Sequence, residues 1–191
     1  GCMIQEIFDK LRTLQDILSA KYALEQEIQE IPRALVTKSE VLSRLKKSFI
    51  EKNEQYEATR QRIKTLQEKM LEAEQNREKL ESQMDLIKTQ REYEALDKEI
   101  RDAAEKELQF RRDLQKEEKV LEEMAHVLER EESLIKEQEE ELQREQEKIR
   151  TEIESRKAQL ASLEEQEKEL IPGLDPEMLF KFERIIRSNL V

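Results

Sequence analysis

From Leu42 onward the chain sets down apolar side chains in alternating steps of three and four: Leu42, Leu45, Phe49, Tyr56, Ile63, Leu66, Met70, Ala73, Leu80, Met84 and Ile87, with Lys52, Thr59 and Arg77 as the polar exceptions on the same row. A repeat of about 3.5 residues held over so many turns describes a helix whose stripe stays turned toward a partner helix by left-handed supercoiling. A shorter stripe precedes it, through Ile4, Ile7, Leu11, Leu14 and Leu18, and then drifts through Leu24, Ile28 and Ile31. After a longer step beyond Ile87 the pattern resumes at Tyr93, Leu96, Ile100 and Ala103 and runs on to Leu163 and Leu170. It thins on the way, because Glu131, Gln138, Glu145 and Glu152 occupy one of the two core rows. That stretch predicts a looser half, opposite the first helix, with a third layer or local splaying.

Three interruptions divide this text. Pro32 lacks a backbone donor and clashes with the preceding turn, so a helix from about Ile4 ends or kinks there. Thr37 with Glu40 three residues later reads as a capping box for the restart, and Val36 with Val41 as its hydrophobic staple. The second interruption has no Gly or Pro. Its mark is another capping box, Thr89 with Glu92, near the midpoint of the helical text. The third is Ile171-Pro172-Gly173-Leu174, followed by Asp175 as a cap and Pro176 at the first position of a last helix.

Together these features predict an all-α protein: a long antiparallel coiled-coil hairpin, kinked near Pro32, with a short C-terminal helix. The hairpin spans 4–170, with arms of about 4–87 and 90–170 and a tip near 88–89; 171–175 is a linker and 176–188 the short helix. Arms of this length make a rod of roughly 120 Å. The rival is a parallel homodimer whose helix continues through residue 88, roughly 200 Å long. A monomer or weak dimer is expected.

Composition narrows the function. The chain has 191 residues, 42% charged and 4% aromatic, with two glycines and no tryptophan. That is too little apolar and turn-forming material for a compact single-core enzyme of this length. With 46 acids against 35 bases, a net charge of -11 and a pI near 5.0, the surface field opposes nucleic acid. No membrane span or signal peptide is written in the chain, so the cytoplasm is the expected compartment. Gly1-Cys2 reads as a cloning remnant ahead of a native start at Met3.

Candidate chemistry is sparse. His126 is the single histidine and Cys2 the single cysteine, too few for a zinc donor set. Carboxylates at helical spacing abound by chance in so acidic a chain and have no pocket to separate their pKa values. The chain therefore reads as non-enzymatic, without cofactor. Lys52, Arg77, Glu107 and Arg156 fall on the seam, where long stems snorkelling to the rim are favoured over register control or a partner site. Arg91, Glu92 and Tyr93 at the tip form the candidate partner-binding site, since an exposed aromatic beside an arginine is a frequent hot-spot pairing. The plainer alternative has Glu92 completing the cap and Tyr93 starting the returning seam.

The run Lys88-Thr89-Gln90-Arg91-Glu92-Tyr93-Glu94-Ala95-Leu96 with Glu99-Ile100, the segment Leu174-Asp175-Pro176-Glu177-Met178-Leu179 with Phe182-Glu183-Arg184-Ile185, and the early Glu30-Ile31-Pro32 resemble bacterial coiled-coil proteins that carry a C-terminal zinc ribbon. These include flagellar regulators and chlamydial relatives associated with sigma-54. The resemblance covers nearly the whole chain. It implies a hairpin acting as an adaptor for sigma-54 or for flagellar or type III secretion components, and for some members RNA. Members continue into a ribbon with two Cys-x-x-Cys pairs; no such pair occurs here, so the chain looks truncated before it. Zinc is then expected only in a longer protein, and RNA binding through the ribbon, or a purely structural spacer, are the alternative functions.

Overall fold

The computed structural model describes residues 2–190. The architecture is an all-α antiparallel hairpin with its first arm interrupted at Pro32 and a short helix after the second. Its helices are α1 (Cys2–Glu30), α2 (Arg33–Gln83), α3 (Gln90–Leu170) and α4 (Pro176–Leu190). Of the expected leading remnant, Gly1 lies outside the described residues.

The break between α1 and α2 is shorter than the sequence suggests. Ile31 N donates to Glu27 O at 2.9 Å and Leu35 N to Pro32 O at 3.1 Å, so the helix restarts within one turn. Thr37 is consequently an interior residue of α2, not its cap, and Val36 and Val41 are exposed instead of stapled. The physical reason is Pro32 itself. Its fixed φ is already helical, and its missing N–H would have no intrahelical acceptor in a first turn, so no side-chain cap is required. Arg33 reaches back to Glu30 across the break at 3.1 Å.

By packing, the chain divides into two units, one made of residues up to Leu42 with those from Gln138 on, the other Ser43–Glu137. In the first unit, the α3 helix ends at Leu170, a 3-10 turn over Ile171–Gly173 follows, and Leu174 N closes it on Ile171 O at 3.0 Å. Asp175 Oδ1 then accepts from Glu177 N at 3.2 Å, capping α4 ahead of Pro176. This folds α4 back so that Ile186 meets Leu14 and Leu18 of α1, flanked by Leu170, Leu174, Leu179 and Phe182. Leu14 is fully buried. Burial of each such side chain contributes roughly 1.5–3 kcal/mol before entropy. α4 thus adds a third layer on Leu14, Leu18 and Leu170, and not along the polar row from Glu131 to Glu152 where one was expected. Beside the polar row, Lys38 instead approaches Glu141 at 3.5 Å and Glu145 at 3.8 Å.

In the second unit, every seam residue of α2 from Leu45 on is at least half-buried, and the chain continues so to Ile87. Ile63, Ala73, Leu96, Ala103 and Leu114 form its driest part. Thr59 is fully buried yet satisfied, since its hydroxyl donates to Gln55 O at 3.0 Å and accepts from Arg62 at 2.8 Å. A buried hydroxyl without such partners would oppose folding.

Candidate functional site at the hairpin tip

The reversal is built without glycine. The α2 helix, which the sequence carries to Ile87, gives way at Gln83 to a 3-10 turn over Met84–Leu86. Ile87 N closes that turn on Met84 O at 3.4 Å while Ile87 itself becomes extended. Thr89 Oγ1 then accepts from Glu92 N at 3.2 Å and starts α3. The carboxylate of Glu92 returns the bond one residue earlier than in a standard capping box, accepting from Lys88 N at 3.4 Å. Tyr93 N closes the first turn on Thr89 O at 3.1 Å.

These bonds sort the three tip residues. Glu92 is held by the backbone it caps. Arg91 is exposed. Tyr93 is 45% exposed and lies off the seam, which resumes at Leu96, so the reading of Tyr93 as the first seam residue is corrected here. Leu86 joins this group at 76% exposed and was not singled out from the sequence. Its signal was present all the same: an apolar residue outside the three-and-four step, immediately before the seam residue Ile87.

The polar seam residues prove to be paired across the helices. Within the second unit, Arg77 Nε donates to Glu107 Oε2 at 2.5 Å, Arg77 also reaches Glu81 at 3.0 Å, and Arg111 lies 3.6 Å from Glu107. The bond from Arg77 holds the Glu107 carboxyl below the usual carboxylate range, and Glu107 in turn raises Arg77. Lys52 pairs with Glu131, whose Oε2 is buried with no partner. In the first unit, Arg156 Nε donates to Glu27 at 2.7 Å. The stems of Lys52, Arg77 and Arg156 run to the rim, where their heads stay partly exposed and meet acidic partners.

His126 is exposed on α3. Among the described residues no three His, Cys, Asp or Glu side chains converge as a metal donor set. The zinc of the resembled family therefore has no fitting ligands here, and none is assigned. No helix among the described residues is long and apolar enough to cross a membrane. A cleft of about 500 Å³ lies between α2 and α3, lined by Arg62, Leu66, Lys69, Asp113, Lys116 and Glu117. Its lining mixes both charges without a convergent polar constellation.

No family model matches the chain, and no curated protein does. Two solved structures are similar. CT398 from Chlamydia trachomatis superposes with a TM-score of 0.77 at 20% identity, over 96% of this chain and 79% of that one. HP0958 from Helicobacter pylori does so with a TM-score of 0.64 at 17% identity, over 94% and 76% respectively. The likeness is one of fold.

Proposed function

We propose that the chain is a non-enzymatic adaptor of the zinc-ribbon coiled-coil family. It binds sigma-54, or a flagellar or type III secretion component, in the cytoplasm and links transcription to the assembly of a secretion apparatus. The observation that carries this reading is the tip. A seam that buries or half-buries each α2 residue on its row leaves Leu86 and Tyr93 exposed at the reversal, beside Arg91. Aromatic and arginine side chains with an apolar neighbour are the usual anchors of a protein interface. The fold likeness to CT398 and HP0958 supports the same family reading, and the acidic balance of the chain favours protein over nucleic acid as partner.

The test is capture of purified sigma-54 by the purified chain. The reading expects binding that Leu86→Ser with Tyr93→Ala weakens at least tenfold and that Glu154→Ala, an exposed change away from the tip, leaves unchanged. Binding that survives the double change would move the interface elsewhere. Reproducible absence of binding to sigma-54 and to secretion components would leave a structural spacer.

A further inference from the structure

The seam of α2 is competent for two assemblies. It can pair with α3 running the opposite way, or with a second copy of itself running parallel, because a sustained heptad stripe suits either. We propose that Arg77 with Glu107, and Lys52 with Glu131, decide between them by making the parallel pairing of two copies electrostatically unfavourable.

In a parallel in-register pair each seam residue faces its own copy. Arg77 would meet Arg77 and Lys52 would meet Lys52. On α3, Glu107 would meet Glu107 and Glu131 would meet Glu131. Each is a like-charge layer on the seam, screened in part at Lys52 and Arg77, whose side chains are 42% and 25% exposed in the hairpin, and least at Glu107. In the folded-back arrangement every one of these charges faces its opposite. Arg77 Nε lies 2.5 Å from Glu107 Oε2, and Lys52 Nζ pairs with Glu131.

Stability alone does not account for these residues. The Glu107 side chain is only 8% exposed, and the second oxygen of Glu131 is buried without a partner. Desolvating such pairs offsets most or all of their attraction, and apolar residues of the same volume usually hold a seam at least as well. Polar residues on a seam are known instead for selecting register and partner at some loss of stability. The placement fits that role, since basic seam residues lie on α2 and their acidic partners on α3.

The experiment uses the whole chain carrying Lys52→Leu, Arg77→Leu, Glu107→Leu and Glu131→Leu together, refolded over a range of concentrations. Mass is read by light scattering. Spin labels at Gln61 and Lys116 of one chain, in a Cys2→Ser background and diluted with unlabelled chain, report the distance within a single chain: short in the hairpin, and roughly 80 Å along one unfolded-back helix. Undiluted chain labelled at Gln61 alone reports the distance between copies, which is short only in a parallel in-register pair. The four-leucine chain is expected to double its mass with rising concentration, to lose the short distance within one chain and to gain a short distance between Gln61 labels of two copies. Lys52→Glu with Glu131→Lys is expected to keep the wild-type mass and distance, because the exchange preserves attraction in the hairpin and repulsion in the parallel pair. The proposal is overturned if the four-leucine chain keeps wild-type mass and distance at every concentration. It is equally overturned if the doubled species keeps the short distance within one chain, which would mean paired hairpins, if it shows no short distance between Gln61 labels of two copies, which would mean an exchanged antiparallel dimer, or if the charge-exchanged chain pairs in parallel.

Discussion

Lys21 Nζ sits 2.7 Å from Glu167 Oε2, and the two side chains are only 16% and 14% exposed. The pair joins α1 to α3 where α4 docks, and Glu183 of α4 shares the same surroundings. Burial first, then the charge of Glu167 and a hydrogen bond to it, push the Glu183 carboxyl above its ordinary value of 4.5, against the opposing pull of Arg187 and Lys21. A raised carboxyl favours the folded state when protonated. Its contribution to docking is complete below about pH 4.5 and is lost as pH rises through the elevated value. Amide exchange in α4, corrected for intrinsic rates, should therefore be slower near pH 4 than near pH 7. Glu183→Gln should remove that difference, and equal protection at both pH values in the wild type would refute it.

Glu107 carries the opposite sign. The hydrogen bond from Arg77 lowers its carboxyl below 4.5, so its contribution is present above that pH and disappears as pH falls through the depressed value. The thermal midpoint of the wild type should drop below pH 4.5 more steeply than that of Glu107→Gln. Parallel pH profiles for the two proteins would count against the pairing.

Leu14 is the driest side chain of the α1–α4 contact. Leu14→Ala should lower unfolding free energy by about 2–5 kcal/mol, measured by denaturant titration followed by circular dichroism. The same change at exposed Leu86 should stay within about 0.5 kcal/mol. A small loss at Leu14 would show that α4 does not rest on it as the structure describes.

The two threonines with capping-box spacing should behave differently. Thr89→Ala removes the acceptor for Glu92 N and should destabilise by about 1 kcal/mol. Thr37→Ala lies inside α2 and should be neutral within about 0.5 kcal/mol, or slightly stabilising, because alanine is the better interior residue. Equal effects at both sites would overturn the assignment of where each helix begins.

The heptad row, the absence of glycine between Cys2 and Gly173 and the Asp175-Pro176 start are local properties, and they were sufficient to specify long helices and a short last helix, while the stripe by itself left parallel pairing open as the rival. Helix formation and the facing of an apolar stripe depend on residues within two turns of each other, which is information a sequence carries in plain order. What the chain in isolation could not decide is where each polar seam residue finds its opposite, whether Tyr93 turns into the seam or out of it, and that α4 lies on Leu14. Those outcomes depend on how helices pack on either side of a turn, the 3-10 turn over Met84–Leu86 in one unit and that over Ile171–Gly173 in the other. Which face of a helix is covered is settled by the neighbours it meets, and only the packed helices determine it.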